Sequence, residues 1–269
     1  FNGLPMILGT SVAGILRKAF EDSAGKDSTN EIFGTKDECD PDKQQGSKLI
    51  ISNALLLDEK GMVCEELLLE KSEFLRLFDI LPIRDHVAIG ANGTAKDAGK
   101  FDEEVVFKGA RFKFSLELDG SKEEFEKILN LLSDPTLRLG SGSSKGFGSL
   151  EILEIKWGEF GLHEYTSSLN DNPNRLSNFD LKGKTNEEFI KYELRILPDD
   201  FFMFGSGFGD NEADHMPVLE SVIDYKTGKL SEQKILIPAS SVKGALSHRT
   251  AFHYNKLKEQ FGEEAKVGN

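Results

Sequence analysis

The stretch ILIPASSVKGALSHRTAF, residues 235–252, determines how the rest of the sequence is interpreted. An apolar strand end runs into Pro238, two hydroxyl residues follow, and apolar residues then recur at helical spacing. Ser241 is a residue type that favours the N-cap position, so we expect a helix to begin there. Gly244 costs roughly 1 kcal/mol relative to Ala in such a helix, which indicates that something approaches the helix closely.

The same pattern occurs near the other end of the sequence. Residues 7–16, ILGTSVAGIL, align without a gap with residues 237–246, IPASSVKGAL. Five of the ten positions are identical, and the glycine is in register, so the pattern indicates an internal repeat at the scale of a domain. The free N–H groups of a first helical turn bind anions, phosphate above all. Both helix starts are therefore candidate phosphate sites.

Composition limits the class of protein. A chain of 269 residues suits one large domain or two small ones. Its cysteines, Cys39 and Cys64, are far apart and form no CxxC, which argues against a disulfide framework or a zinc site and fits a reducing cytoplasm. No apolar run approaches the ~20 residues of a membrane span. We therefore expect a cytoplasmic protein with no membrane partner.

The net charge of −13 argues against a generic nucleic-acid binder, but the charge is sorted along the chain. Acidic residues are absent from three stretches, 5–20, 135–150 and 234–258. Each of them contains a Gly- or Ser-rich motif, and the middle one contains the loop LGSGSSKGFG. This coincidence favours contact with a nucleic-acid backbone over chance sorting of charge.

The order of predicted elements indicates an α+β fold. We expect a ferredoxin-like βαββαβ unit over residues 1–157, with an inserted hairpin and with its first strand before residue 1. Residues 158–189 are polar and are interpreted as a linker or excursion. Residues 190–269 are interpreted as the strand and helix that begin a second unit. The alternative is that this strand and helix complete the first domain. The predicted segments are a helix over 9–24, strands over 48–57, 111–118, 149–157 and 191–197, a hairpin over 82–100, and a helix that follows the capping box at 121–124.

The pattern at residues 237–246 resembles the RAMP superfamily of CRISPR-associated proteins, and in particular the backbone subunits of type III effector complexes. Segments 33–58, 83–114 and 138–152 are similar to other parts of that family in the same order. The resemblance covers most of 1–157 and 190–260. It implies a protein that binds guide RNA and displays it to target RNA beside other effector subunits or repeat units.

The resemblance also implies which residues contact RNA. They lie at the two helix starts and in the Gly-rich loop, which in the family is close to guide RNA. The expected RNA-binding residues are Ser11, Arg17, Lys18, Ser143, Ser144, Lys145, Ser240, Ser241, Lys243, His248 and Arg249.

A second candidate site is the segment FGSGFGDNEADHMPVLE, residues 204–220. Family members that cut RNA carry an aspartate shortly before a Pro-Val-Ile-like run, which here implies Asp214 as catalytic residue and metal ligand, with Asp210 as the runner-up. The implied ion is Mg²⁺, which such a carboxylate would hold beside the scissile phosphate. The spacing to Pro217 is one residue longer than the usual pattern. Three alternatives stay open: an acidic surface loop, a non-catalytic protein scaffold, and a guide-processing ribonuclease that uses histidine.

Overall fold

The computed structural model describes residues 2–35, 44–66, 70–90, 94–161, 164, 176–182, 192–207, 209 and 211–259. The helices are α1 Gly9–Ala24, α2 Lys26–Phe33, α3 Glu73–Arg76, α4 Lys122–Leu131 and α5 Ala239–Leu257, with 3-10 turns at Leu77–Asp79 and Ser143–Lys145. The strands are β1 Met6–Ile7, β2 Leu49–Ile51, β3 Ala54–Leu56, β4 Ile83–Ile89, β5 Ala95–Glu104, β6 Phe112–Lys113, β7 Leu116–Leu118, β8 Lys156–Trp157, β9 Ser177–Asn178, β10 Leu219–Glu220, β11 Ile223–Asp224, β12 Lys229–Leu230 and β13 Lys234–Ile235.

Helix α1 is the centre of the first hydrophobic core. Its residues Val12, Leu16 and Phe20 are spaced four apart, so they lie on one face, and all three are buried. They pack in one cluster with Leu49 of β2 and with residues of α4 and its C-terminal end, namely Ile128, Leu129 and Leu132. The predicted helix over 9–24 is confirmed. The predicted capping box is confirmed too, since Ser121 and Glu124 exchange their hydrogen bonds at the start of α4.

The strands around this core are short and antiparallel. One sheet has the order β1-β3-β6, and β2 pairs with β7 beside it. The two ladders are separated at Ser52, whose N–H donates to Ser115 O at 3.0 Å and whose Oγ accepts from Ser115 N at 2.9 Å. Gly9 passes so close to this point that a Cβ on it would lie 2.5 Å from Ile51 O. Only glycine fits there, which anchors the start of α1 against the strands.

Several predictions about the strands differ from the structure. The strand before α1 is β1, inside the sequence, and not before residue 1. The predicted strand 149–157 forms only β8, paired with β9. Mixed α/β structure with small antiparallel sheets is confirmed, while the ferredoxin-like arrangement remains a prediction.

The predicted strand 191–197 is wrong over its described residues. Residues 192–198 form no strand, and Tyr192 is 80% exposed. The alternating apolar residues of this segment fit the pattern of a strand. A strand also needs a neighbouring strand to pair with, and none of the described residues forms one beside this segment.

A second hydrophobic core joins an early and a late part of the chain. Leu56, Phe74, Leu75 and Phe78 are buried together with Ile223 of β11. The segment that contains Ile223 is further attached through Tyr225, whose hydroxyl donates to Leu57 O at 3.0 Å and accepts from Arg111 N at 3.0 Å. Residues around 223–230 are therefore packed on the first unit. The division of the chain at residue 190 stays a prediction.

Candidate nucleic-acid interface

The Gly-rich loop has a defined backbone conformation. Gly142 and Gly146 are both left-handed, with φ of 71° and 93°, and they enclose the 3-10 turn Ser143–Lys145. At the neck of the loop, a Cβ on Gly148 would lie 2.1 Å from Leu139 O. The glycines are required by this geometry, and the turn leaves Ser143 and Ser144 exposed.

The loop is in direct contact with the start of α5. A Cβ on Gly146 would lie 2.8 Å from Ala239 Cβ, the first residue of that helix. Two of the predicted phosphate-binding motifs, far apart in sequence, are thus neighbours in the structure. In the first turns of α5, Ser240 is half-buried, while Ser241 and Lys243 are exposed.

The two repeated helix starts have the same backbone geometry. Leu8 precedes α1 with φ −65° and ψ 134°, and Pro238 precedes α5 with φ −65° and ψ 133°. Leu8 O accepts from Ser11 N at 2.9 Å, and Pro238 O accepts from Ser241 N at 3.0 Å. The expectation that Ser241 is the N-cap is therefore wrong: α5 begins two residues earlier, because Pro238 fits the extended conformation of a cap and the residues after it are free to be helical.

Each of these helices has an open position at its glycine. A Cβ built on Gly14 or on Gly244 meets nothing within 4 Å. Three residues earlier stand Ser11 and Ser241, which share a helix face with the glycines. Packing inside the described part of the chain therefore does not explain why either helix carries a glycine. A close approach by another molecule would explain both.

The basic residues of α1 that were expected to bind RNA form hydrogen bonds within the protein. Arg17 donates to Gly34 O and to Asn30 Oδ1, both at 2.7 Å, and thereby ties α1 to the end of α2. Lys18 is exposed and pairs with Asp22 at 2.7 Å, and this hydrogen bond raises the pKa of Lys18. These contacts make α1 a less cationic surface than its sequence indicates.

The basic residues of α5 are more accessible. His248 and Arg249 are exposed, and the guanidinium of Arg249 lies 5.6 Å from the ring centroid of Phe252. The helix has no acidic residue in its first turn. Of the two repeated helix starts, α5 therefore offers the more positive surface.

Asp214 lies at the exposed tip of a closed loop. Ser206 N donates to Met216 O and Val218 N donates to Phe204 O, both at 2.8 Å, so the two arms of the loop pair in an antiparallel manner. Asp210 lies outside the described residues. Across the described part of the chain, no group of three or more His, Cys, Asp or Glu side chains could hold a metal ion. Because Asp210 is not among these residues, Mg²⁺ at Asp214 stays a prediction.

The family model of the RAMP superfamily matches residues 1–151, which is more than half of the chain. The chain belongs to the RAMP superfamily. No curated protein gives a significant match.

Two solved structures are similar to this RAMP chain. One is a cryo-EM structure of the type III-B Cmr-beta bound to cognate target RNA, with 18% identity, 55% of this chain and 46% of that chain covered, and a TM-score of 0.37. The other is a type IV-B CRISPR complex, with 18% identity and a TM-score of 0.39. The similarity covers 63% of this chain and 83% of that chain. This chain thus spans less than half of the type III-B chain. Because both TM-scores are below 0.5, neither similarity supports a conclusion about function.

The RAMP chain contains a partly exposed cluster of polar and aromatic side chains that the sequence patterns did not predict. It joins the Gly-rich loop to the hairpin formed by β4 and β5. Lys145 Nζ lies 4.8 Å from the ring centroid of Phe101 and 4.0 Å from Glu103 Oε2. His86 stacks on Phe101 at 5.1 Å and places Nε2 3.3 Å from the same Glu103 oxygen, although not in a hydrogen-bonding direction. The alternation of side chains along the hairpin could have predicted this cluster. That prediction also requires the register that pairs His86 with Phe101, which the sequence does not show.

The loop that carries Asp214 also contacts this hairpin. A Cβ on Gly207 would lie 3.2 Å from Asp85 Cγ. Asp85 and His86 are consecutive in β4, so their side chains leave opposite faces of the strand. The Gly-rich loop and the Asp214 loop therefore contact side chains on opposite faces of the hairpin.

Among the helices that the structure describes, none is long and apolar enough to cross a bilayer.

Proposed function

We propose that this RAMP chain is a guide-RNA-binding backbone component of a type III CRISPR RNA-targeting complex. The observation that carries the proposal is the contact between the Gly-rich loop and the first turn of α5, at Gly146 and Ala239. The stretches that form this contact, 135–150 and 234–258, contain no acidic residue in a chain of net charge −13. A surface without carboxylates suits a phosphate backbone, because nothing in these stretches repels its negative charge.

The binding would be largely independent of sequence. Such binding would use groups that recognise phosphate and sugar, not base edges: backbone N–H groups, the exposed hydroxyls of Ser143 and Ser144, the imidazole of His248, and the cations Lys243 and Arg249. Base pairing between guide RNA and target RNA then supplies the specificity. The partners of the chain would be guide RNA, target RNA and other effector subunits or repeat units.

Salt dependence tests this mode of binding. The double variant Lys243→Ala/Arg249→Ala should weaken binding of two unrelated single-stranded RNAs equally, and the slope of log K against log salt should fall by roughly 1.4, since each lost phosphate contact removes about 0.7. Lys48→Ala is the matched control, because Lys48 is paired with Glu31 at 3.0 Å and lies outside the acid-free stretches. Binding that does not depend on salt, or a loss confined to one RNA sequence, would contradict the proposal.

A second candidate function is cleavage of target RNA at Asp214. The observation in its favour is an exposed carboxylate held by a tight turn, in which a Cβ on Gly209 would lie 2.2 Å from Ala213 O. At a scissile phosphate this carboxylate would orient the ribose 2′-OH for in-line attack and accept its proton. Mg²⁺ held beside this carboxylate would stabilise charge at the scissile phosphate, and no step here depends on the ion. The two rivals are a non-catalytic scaffold and a guide-processing ribonuclease that uses histidine.

Cleavage and binding can be separated experimentally. In the protein assembled with its guide, Asp214→Ala and Asp214→Asn should retain target binding and lose cleavage at the site that faces this loop, and Asp210→Ala should do much less. The same assay with and without Mg²⁺ measures whether a cation takes part. Cleavage at the wild-type rate in Asp214→Ala would show that the loop is an acidic surface turn. Loss of cleavage in Asp210→Ala alone would assign the role to the other carboxylate.

A further inference from the structure

The Gly-rich loop has a carboxylate beside it that its own sequence does not contain. The stretch 135–150 has no acidic residue. In the structure, Glu103 of β5 places Oε2 4.0 Å from Lys145 Nζ, and the two side chains are 34% and 30% exposed. The fold therefore brings an anion of the hairpin to a loop that was identified as a candidate phosphate site because it lacks anions.

The hairpin fixes the position of this carboxylate. His86 is only 9% exposed in its side chain, and its Nε2 lies 3.3 Å from Glu103 Oε2. Its ring stacks on Phe101 at 5.1 Å, and the two residues are partners in the register of β4 and β5. One carboxylate oxygen thus lies between a buried nitrogen of the hairpin and the ammonium group of the loop.

The same face of the hairpin orients the ammonium group. Lys145 Nζ lies 4.8 Å from the ring centroid of Phe101, a favourable distance for a cation over an aromatic ring. Phe147 packs edge-on against His86 at 6.2 Å, and a Cβ on Gly142 would lie 2.7 Å from Phe147 Cδ2. Two side chains of the loop are thus held on the hairpin, so the cation is oriented before any ligand binds.

We propose that Glu103 competes with an RNA phosphate for Lys145, so that RNA binding exchanges the hairpin carboxylate for a phosphate. This inference rests on the proposed RNA-binding function. The ammonium of lysine is a point charge that binds carboxylate and phosphate oxygens alike. The exposed pair with Glu103 is weak, whereas an RNA chain already bound at α5 presents its phosphates at high effective concentration, because Gly146 contacts the first residue of that helix.

The exchange makes the hairpin part of the RNA affinity. While Glu103 is at the loop, it occupies the cation and repels an approaching phosphate. By linkage, the ion pair weakens RNA binding by the same factor by which RNA weakens the ion pair. Glu103 is therefore a residue that sets the affinity of the loop, although it makes no contact with RNA itself.

Removal of the carboxylate tests the proposal. Glu103→Gln keeps the shape of the side chain and should tighten binding of a labelled single-stranded RNA to the full chain by roughly fivefold, the upper range for an exposed ion pair. Glu104→Gln is the matched control. Glu104 is the next residue of β5, is exposed, and leaves the opposite face of the strand, so the variant removes the same charge away from the loop and should change affinity by less than about twofold.

A second pair of variants shows whether the gain passes through the cation. In a Lys145→Met background, Glu103→Gln should tighten binding no more than Glu104→Gln does, whereas in a Lys145→Arg background its gain should persist. Equal gains from Glu103→Gln and Glu104→Gln, or a gain from Glu103→Gln that persists with Lys145→Met, would overturn the proposal.

The variant Lys243→Ala/Arg249→Ala, measured on the same RNA, reports the proposed function separately. If it weakens binding while the two glutamate variants behave alike, only the exchange at Lys145 is refuted. If no variant and no wild-type protein binds RNA, the proposed function and the exchange are refuted together.

Discussion

Replacing the open glycines of the two repeated helices by alanine should stabilise the protein and weaken RNA binding. A Cβ on Gly14 or Gly244 meets no atom within 4 Å, so the added methyl creates no internal clash. In a helix interior, Gly→Ala is worth roughly 0.8–1.0 kcal/mol. For a chain of this size, such a gain at Gly14 raises the melting temperature by about 2–4 °C. The opposite signs on stability and binding make the test specific.

The expected loss of RNA affinity follows from the close approach that the glycines allow. A methyl group at Gly14 or Gly244 would hold an RNA backbone away from the first-turn N–H groups. Loss of one hydrogen bond to a charged group costs about 1.5–3 kcal/mol, which corresponds to about tenfold or more in Kd. Fluorescence anisotropy with a labelled single-stranded RNA measures this change, and thermal unfolding of the same samples measures stability.

Gly9→Ala is the contrasting control in α1. Here the added Cβ would lie 2.5 Å from Ile51 O, so the variant should be destabilised by about 1–3 kcal/mol. If Gly14→Ala and Gly244→Ala are both more stable and bind RNA as tightly as the wild type, the glycines do not admit RNA. A destabilised Gly14→Ala would show that the position is packed in solution.

The remaining predictions concern packing and pH. Leu16→Ala should lower the free energy of unfolding by about 2–5 kcal/mol, because this side chain is buried. Leu246→Ala should change it little, because Leu246 is exposed. Urea unfolding measures both variants, and equal losses of stability would contradict the packing described. The backbone N–H of Ser121, and to a lesser extent its hydroxyl, donate hydrogen bonds that hold the pKa of Glu124 below its usual value. These hydrogen bonds therefore stabilise the folded protein at neutral pH, and this stabilisation is lost as the pH falls through the lowered pKa. Ser121→Ala should therefore lose less stability than the wild type between neutral and acidic pH, and parallel pH profiles would refute this.

Local patterns predicted those parts of the fold that depend on neighbours in sequence. The apolar residues of α1 recur at helical spacing, and the capping box of Ser121 and Glu124 is complete within four residues. The hairpin was predicted from its turn residues, and β4 and β5 form it. In each case the decisive contacts join residues close in the chain, so the sequence contains the information directly.

The candidate interface depends on contacts that no local pattern contains. Gly146 and Ala239 are more than ninety positions apart, and only the fold brings them together. Arg17 was predicted to contact RNA from its charge and position, but the packing of α2 beside α1 brings Gly34 and Asn30 within hydrogen-bond reach of its guanidinium. The direction of a charged side chain depends on which partners the tertiary structure supplies.

The sequence by itself determined the internal repeat, the segregation of acidic residues away from the Gly- and Ser-rich stretches, and the membership of a known superfamily. These are properties of residue order, and they need no coordinates. Only the tertiary structure decided that one repeated helix is buried while the other is exposed, since burial depends on whether a complementary surface lies opposite. It also decided that His86 and Glu103 meet Lys145, because strand register and the path of the Gly-rich loop are set by packing across the whole domain.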